Sequence, residues 1–135
     1  MRYLADTNVL SELARADPDP GVVAWAQTVS AISLSVISVE EIFFGLTWKP
    51  NPRVEKWFDE FLQGYCEICP VTADIARRAG ALRGMMTARG QTRTQADMLI
   101  AATAQANQRT LVTRNLSDFE GCGIVLLNPF SDPAR

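Results

Sequence analysis

Short apolar runs alternate with segments of helical periodicity along the chain. The short runs predict strands at residues 2–6, Ala31–Val36, Tyr65–Cys69, Thr110–Thr113 and Gly123–Leu127. Apolar residues spaced three and four apart predict helices at Thr7–Ala14, Val22–Val29, Ser38–Leu46, Val54–Gln63, Thr72–Ala88 and Ala96–Asn107. This alternation favours an α/β fold in which helices cover both faces of a parallel sheet.

The size and composition of the chain favour one globular domain. It has 135 residues, and no repeat or linker divides it, so we expect a single domain over residues 1–135. Hydrophobic residues make up 47% and charged residues 21% of the sequence, which excludes a disordered or fibrous protein. The apolar runs are far too short to span a bilayer, and no hydrophobic leader precedes the acid at position 6. We therefore expect a cytoplasmic protein without a membrane partner.

Acidic residues recur where predicted strands end or predicted helices begin. These residues are Asp6, Glu41, Asp97 and Asp118. Strand ends and helix starts share one edge of an α/β sheet, so the side chains are expected to meet there. Small residues along Ala101–Ala104 would let the last helix lie close to the sheet and bring Asp97 to that edge. Alternatively, Asp97 and Asp118 could be acids in the first turn of a helix, where the helix dipole stabilises them. Asp118 would then lie in a short turn capped by Asn115.

The other two acids also have structural alternatives. Asp6 could cap the helix that follows it, although Thr7 and Asn8 are competent caps themselves. Ser38 and Glu41 have the spacing of a capping box, in which Glu41 would reach back to the amide of Ser38. Each acid taken alone is explained by local structure, whereas their shared position at one sheet edge favours a functional cluster.

A cluster of carboxylates suits a divalent cation. Neighbouring carboxylates raise each other's pKa until a cation balances them, and a fold gains nothing from that repulsion. The chain has no histidine, and an all-oxygen site suits Mg²⁺ or Mn²⁺ better than Zn²⁺. A bound ion would activate water for in-line attack on a phosphodiester, leaving a 5′-phosphate and a 3′-hydroxyl. The absence of histidine also argues against the acid–base route of metal-free ribonucleases.

The distribution of charge leaves the binding of nucleic acid open. The net charge is −2, so no overall basic surface is present. Between residues 75 and 96, however, arginines occur without any acid, at Arg77, Arg78, Arg83, Arg89 and Arg93. They could form a solvated helix face, or a strip that contacts phosphates, in which Arg89 and Arg93 are the candidate RNA contacts.

The cysteines do not predict a metal or redox centre. Cys66 and Cys69 have redox or zinc spacing, but neither a second pair nor a histidine completes a zinc site. The segment also reads as a strand, in which positions three apart face opposite sides. We therefore expect these two thiols and Cys122 to be buried and chemically inert.

Four segments together give the sequence a family resemblance. They are Leu4–Leu10, Ser35–Ile42 with Gly45, Ala96–Ala104, and Leu111–Phe119, and the ending Leu127–Phe130 fits as well. With these segments in order over nearly its whole length, the chain resembles the PIN-domain nucleases, especially the VapC-type toxins of bacterial toxin–antitoxin pairs. The resemblance implies a PIN-like three-layer α/β/α sandwich with a central, mainly parallel sheet.

The resemblance also implies roles for individual residues. Asp6, Glu41 and Asp97 would form the acidic core that holds Mg²⁺ or Mn²⁺, with Asp118 as the fourth member, and Glu41 is chosen over Glu40. Polar groups around that core would orient carboxylates or water, and these are Thr7, Thr113 and Asn115. Some relatives carry an acid at the position of Asn115, which is an amide here, so either Asp118 or Asn115 could complete the site.

The partners implied by the resemblance are an RNA substrate, a small cognate antitoxin and a second copy of the chain. The protein would cut this RNA as an endoribonuclease, and the antitoxin would block the groove that binds the RNA. A homodimer would form through apolar helices, to which Trp25, Phe43, Phe44 and Trp57 could contribute, although each aromatic suits the core better than an interface.

Three other functions share parts of this pattern. A haloacid-dehalogenase-type phosphatase needs a second Asp two residues after the first, where this chain has Asn8. A response-regulator receiver domain needs a late lysine, but the lysines here are Lys49 and Lys56. A PIN-fold binding or regulatory module with little catalysis would keep the same acids, so this alternative stays open.

Overall fold

Five parallel strands form the centre of the molecule. The computed structural model describes residues 2–64 and 66–131, and its strands are β1 (Tyr3–Ala5), β2 (Ile32–Ser35), β3 (Cys66–Cys69), β4 (Thr110–Val112) and β5 (Leu126–Leu127). They pair in the order β3-β2-β1-β4-β5, with Leu4 opposite both Ser33 and Leu111. The two central strands, β1 and β4, therefore carry Asp6 and Thr113 to the same carboxyl edge of the sheet.

Helices cover both faces of this sheet. They are α1 (Thr7–Leu13), α2 (Pro20–Gln27), α3 (Val36–Trp48), α4 (Pro52–Gly64), α5 (Ala73–Ala88) and α6 (Gln95–Ala106), followed by a 3₁₀ turn at Leu116–Phe119. Residues of α1–α4 share one hydrophobic cluster with Ala5 and Val112, whereas α5 and α6 share another with Leu4 and Leu111. Successive strand residues thus serve opposite faces, as strand geometry requires. The predicted three-layer α/β/α architecture is confirmed.

Helix α6 lies directly against the sheet, as its small residues predict. Ala101, Ala102 and Ala104 are completely buried in the cluster that they share with α5. Thr94 caps α6, and its hydroxyl oxygen accepts a hydrogen bond from the amide of Asp97 at 3.1 Å. The first turn of α6 therefore holds Asp97 at the carboxyl edge of the sheet.

Helix α3 begins two residues earlier than the sequence predicts. Ser35 is its N-cap, and the hydroxyl oxygen of Ser35 accepts a hydrogen bond from the amide of Ile37 at 3.0 Å. Val36 is consequently helical, and Ser38 lies buried within the first turn. The predicted capping box of Ser38 and Glu41 is wrong, because a serine at the strand end offered an earlier cap.

Other boundaries differ in ways that local geometry explains. Helix α2 starts at Pro20, because the carboxylate of Asp19 accepts hydrogen bonds from two of the first free amides and proline suits a first helical turn. Strand β5 covers only Leu126–Leu127, since Gly121 and Gly123 adopt φ values of +82° and +71° and bend the chain before it. The predicted start of β3 at Tyr65 lies outside the described residues.

The aromatic side chains divide between the core and the surface. Trp25 is buried in the cluster beneath α1–α4, and Trp57 stacks on Phe61 in the same cluster. Phe44 and Trp48, on α3, are 63% and 70% exposed. Of the aromatics predicted as interface candidates, Phe44 is the one that faces outward most clearly. In residues 2–64 and 66–131, no helix is both long and apolar enough to cross a membrane.

Candidate active site

Asp6 joins the end of β1 to the start of α1. Its Oδ1 accepts a hydrogen bond from the amide of Thr7 at 2.7 Å, which makes Asp6 the N-cap of α1. Capping by Asp6, the structural alternative that the sequence offered for this acid, is therefore observed. Its second oxygen, Oδ2, accepts a hydrogen bond from the Thr113 hydroxyl at 2.8 Å, and the side chain is almost fully buried. Capping thus occupies one carboxylate oxygen, while the other faces the end of β4.

Asn8 and Thr113 hold this carboxylate from two sides. The side-chain amide of Asn8 donates to Asp6 Oδ2 at 3.3 Å, and its Oδ1 accepts from the amide of Arg114 at 3.2 Å. The Thr113 hydroxyl oxygen also accepts from the amide of Asn115 at 3.1 Å. Sequence reasoning missed Asn8, since an amide two residues after a strand suits helix capping equally well. The backbone of Asn115, rather than its exposed side chain, makes the contact to Thr113.

Glu41 reaches the site through Thr7. Its Oε1 lies 2.6 Å from the hydroxyl oxygen of Thr7, which also lies 2.9 Å from the hydroxyl of Ser38. One hydroxyl carries one proton, so Thr7 donates to the carboxylate and accepts from Ser38. Because α3 begins at Val36, Ser38 and Glu41 fall one turn apart on the same face of α3, toward α1.

Asp97 and Asp118 come from the other side of the sheet. Asp97 lies in the first turn of α6 and is half-buried, whereas Asp118 lies exposed in the 3₁₀ turn. Asn115 stands at the N-cap position of that turn, as the structural alternative for Asp118 required, but its side chain makes no capping hydrogen bond. All four predicted acids therefore lie near the carboxyl edge, at the junction of β1 and α1, on α3, on α6 and in the 3₁₀ turn.

The four carboxylates form one electrostatic cluster. Burial raises the pKa of Asp6 to about 6, against the hydrogen bonds from Thr113 and Thr7, and the charges of Asp97 and Glu41 raise it further. Burial also raises the pKa of Asp97, which the Thr94 hydrogen bond opposes and the charges of Asp118 and Glu41 increase. Each acid thus interacts with at least one other.

The donor set at this edge fits a hard divalent cation. It consists of carboxylate, hydroxyl and amide oxygens, which Mg²⁺ and Mn²⁺ prefer as ligands. The raised pKa of Asp6 marks a negative charge that a cation would compensate. In the described part of the chain, however, no three acidic or cysteine side chains converge closely enough to form a finished metal site. Cation binding would therefore draw the side chains together.

The predicted RNA contacts differ in their surroundings. Arg93 donates hydrogen bonds to the backbone carbonyls of Asp118 and Glu120. Arg89 is the exposed C-cap residue of α5. Arg78 pairs with Asp74 at 2.9 Å on the surface, an interaction that contributes little to stability in water. The arginines therefore do not form one continuous strip of equivalent side chains.

The cysteines lie apart from the acidic cluster. Cys69 is buried in the cluster beneath α5 and α6, whereas Cys66 packs on the opposite face of the sheet. This placement agrees with the predicted strand periodicity. Cys69 and Cys122 are buried as predicted, but Cys66 is only half-buried, because it lies at the start of an edge strand. Burial raises the pKa of all three thiols, including Cys122, which disfavours the reactive thiolate form.

Comparison with known proteins identifies this arrangement. The PIN-domain profile matches residues 3–120. The chain belongs to the PIN-domain family. The protein named VapC ribonuclease Y4jK, from Sinorhizobium fredii, is 36% identical to this PIN domain over 96% of the chain and 97% of that relative. The sequence-based recognition of a VapC-type PIN domain is confirmed.

Solved structures agree with this identification. The crystal structure of FitAcB from Neisseria gonorrhoeae matches this PIN domain with a TM-score of 0.79 and 29% identity, over 94% of this chain and 97% of that one. VapBC2 from Rickettsia felis, bound to a DNA fragment from their promoter, gives a TM-score of 0.84 and 26% identity over 95% and 98%. Both matches cover more than nine tenths of this chain.

Proposed function

We propose that this PIN domain is a metal-dependent endoribonuclease that acts as the toxin of a toxin–antitoxin pair. The observation that carries the proposal is the coupled carboxylate cluster, in which buried Asp6 has a pKa near 6. A sequence relative supports the same proposal, because a protein that is 36% identical to this chain is named a VapC ribonuclease. The substrate is RNA, and the bond hydrolysed is a phosphodiester.

Each acidic residue has a distinct position in the proposed site. Asp6, Glu41, Asp97 and Asp118 hold Mg²⁺ or Mn²⁺, directly or through water. When bound, the ion supplies the positive charge that offsets a phosphate and lowers the pKa of a water molecule. The exposed position of Asp118 gives it the freedom to move toward the ion, and this acid rather than Asn115 is the proposed fourth member.

Neighbouring polar groups orient these carboxylates. Thr113 and Asn8 direct Oδ2 of Asp6, while Thr7 directs Oε1 of Glu41. These hydrogen bonds restrict the rotamers of the two acids before any ligand arrives, which lowers the entropy that binding costs. Water attacks the phosphorus in line and gives up a proton, while the bond from phosphorus to the 3′-oxygen breaks. The departing 3′-oxygen takes up a proton, so the products carry a 5′-phosphate and a 3′-hydroxyl. Arg89 is proposed to contact an RNA phosphate from the end of α5.

The proposed protein partners are an antitoxin and a second copy of this chain. A structural relative from Klebsiella pneumoniae, at 25% identity, is described as a toxin–antitoxin complex. On this chain, α3 exposes Phe44 and Trp48 together, with ring centroids 6.4 Å apart. Exposed aromatics of this kind favour a protein interface. The proposed location is the cytoplasm, where the RNA substrate is found.

A second candidate function is that of a PIN-fold binding or regulatory module. The observation that favours it is the lack, among the residues described, of three acidic side chains already close enough to chelate an ion. Such a module would bind RNA or a protein partner without turnover. The two candidates differ in whether metal ions cause wild-type protein to cut RNA.

A cleavage assay tests the proposed function. Protein stripped with EDTA would be incubated with mixed cellular RNA, with and without Mg²⁺ or Mn²⁺, beside Asp6→Asn and the control Asp59→Asn. Asp59 is an exposed acid on α4, away from the predicted site. We expect discrete metal-dependent fragments from wild type and Asp59→Asn only, with activity that survives repeated purification. Equal cleavage by Asp6→Asn would refute the nuclease site, whereas intact RNA with wild-type protein that binds the ion would favour the regulatory module.

A further inference from the structure

We infer that Arg93 is a positioning residue, whose guanidinium fixes the segment that carries Asp118 beside the first turn of α6. This inference rests on the proposed nuclease function, because it explains how Asp118 is kept near Asp97. It gives Arg93 a task different from the RNA contact predicted from the sequence. Arg93 belongs to the connection between α5 and α6 and immediately precedes Thr94, the N-cap of α6.

The contacts of Arg93 are to the backbone of that segment. One terminal nitrogen donates to the carbonyl oxygen of Asp118, and the other donates to the carbonyl oxygen of Glu120 at 3.1 Å. The second nitrogen also donates to Gln91 Oε1 at 3.2 Å. The guanidinium therefore bridges two carbonyls on either side of Phe119, across 25 and 27 residues of sequence. This use of its donors competes with binding an RNA phosphate.

The segment after β4 depends on the hydrogen bonds from Arg93, here called the clamp, because its own local structure is weak. The 3₁₀ turn has no side-chain cap, and a short 3₁₀ helix has poorer hydrogen-bond geometry than an α-helix. Gly121 and Gly123, both with positive φ, follow it. Phe119 and Cys122 pack inward against the core that includes Met98, while the carbonyls of Asp118 and Glu120 accept hydrogen bonds from Arg93. Arg93 therefore restrains the backbone of this segment on the side away from the core.

The position of Arg93 also affects the acids electrically. Its positive charge lowers the pKa of Asp97, opposing the effect of burial. Arg93 is partly buried, so its charge is better shielded from solvent than the charges of the exposed arginines of α5. A guanidinium offers donors in a fixed planar fork, whereas a lysine ammonium is a single point charge on a flexible stem. Lysine could therefore preserve the charge but only part of the clamp.

Hydrogen–deuterium exchange of the metal-free protein tests this inference. The amides of Asp118 and Cys122, which donate to the carbonyls of Asn115 and Phe119, are the reporters. In Arg93→Gln we expect these amides to exchange about tenfold faster or more, as for the loss of a charge-assisted hydrogen bond, while amides within α5 stay unchanged. Arg93→Lys should fall between wild type and Arg93→Gln. Lys56→Gln, an exposed charge change on α4, should exchange as wild type does.

A second measurement connects the clamp to the site. Mn²⁺ titration should show weaker binding in Arg93→Gln than in wild type, with partial recovery in Arg93→Lys. If exchange and Mn²⁺ affinity are unchanged while RNA binding weakens and its salt dependence flattens, Arg93 is an RNA contact and the inference is overturned. If wild-type protein binds no Mn²⁺, the proposed function fails, but faster exchange in Arg93→Gln would still establish the clamp.

Discussion

Asp6 and Glu41 are each restrained by hydroxyl groups that come from another element. Thr113, from the end of β4, donates to Asp6, and Thr7, from α1, donates to Glu41. Burial disfavours the charged form of Asp6, while the hydrogen bonds from the Thr113 hydroxyl and the Thr7 amide favour it. Burial has the larger effect, because the pKa of Asp6 rises to about 6. The metal-free protein therefore carries a carboxylate that costs stability at neutral pH.

This cost gives the first prediction, for Asp6→Asn. The pKa of Asp6 in the folded state, about 6, exceeds its ordinary value of 3.8, so the folded state binds more protons between these values. The contribution of protonated Asp6 to the free energy of unfolding is thus fully present below pH 4. It is lost as the pH rises through 6, and the loss is at most about 3 kcal/mol. In EDTA, Asp6→Asn should be more stable than wild type at pH 7.5, and the difference should shrink toward pH 4. A difference that stays constant in urea unfolding from pH 4 to 8 would contradict this explanation.

Asp97→Asn gives the second prediction. Asparagine keeps the shape of the side chain and removes the charge that repels Asp118 and Glu41. We expect metal-dependent cleavage to fall about a hundredfold or more, with a melting temperature in EDTA equal to or slightly above that of wild type. Asp59→Asn serves as the control for both readouts. A large fall in melting temperature in metal-free buffer would mean instead that Asp97 is structural.

At the scale of the elements, the start of α3 decides what Ser38 and Glu41 do. A helix that began at Ser38 would have used both residues as a capping box. Because Ser35 caps the helix instead, Ser38 and Glu41 face Thr7 on α1. A shift of the helix start by two residues thus turns a predicted capping pair into neighbours of Thr7 in the proposed site.

Ser35→Ala tests this start of α3. It removes the acceptor of the Ile37 amide, and loss of an N-cap typically costs about 1 kcal/mol. We therefore expect the free energy of unfolding, measured in urea, to fall by about that amount. Ser11→Ala, an exposed position within α1, should leave stability within about 0.5 kcal/mol of wild type. Equal effects of the two changes would argue against Ser35 as the cap.

The elements also indicate what sequence patterns can predict. Periodicity predicted every strand and helix of the described chain, since long amphipathic or buried segments dominate the local signal. It misplaced the start of α3, because Ser35 and Ser38 are both suitable caps and compete for that position. It also could not anticipate that Arg93 bonds to the carbonyls of Asp118 and Glu120, a contact across more than 20 residues. Boundaries and long-range polar contacts depend on tertiary structure.

At the scale of the molecule, the sheet order brings distant segments together. Strands β1 and β4 are adjacent, so Asp6 and Thr113 meet although 107 residues separate them in sequence. The same arrangement leaves α3 with Phe44 and Trp48 exposed on the surface. One edge of the sheet is therefore polar and acidic, while α3 offers an apolar surface for the proposed protein partners.

Phe44→Ser tests whether that surface mediates self-association. The side chain is 63% exposed, so its replacement should change the stability of the fold by no more than about 0.5 kcal/mol. If Phe44 lies in a homodimer interface, sedimentation should show dimer dissociation at concentrations where wild type stays associated. Val125→Ser, at a similarly exposed apolar residue outside α3, is the control. Unchanged association in Phe44→Ser would remove this residue from the proposed interface.

The central claim is that four coupled carboxylates form a cation site, and the titration of Asp6 tests it most directly. Carbon-13 NMR would follow the Asp6 carboxyl carbon between pH 3 and 8, in EDTA and then in Mg²⁺, with assignment from Asp6→Asn. We predict a midpoint near pH 6 without metal, and a shift to clearly lower pH when Mg²⁺ binds. A midpoint near its ordinary value of 3.8, unchanged by Mg²⁺, would contradict the claim.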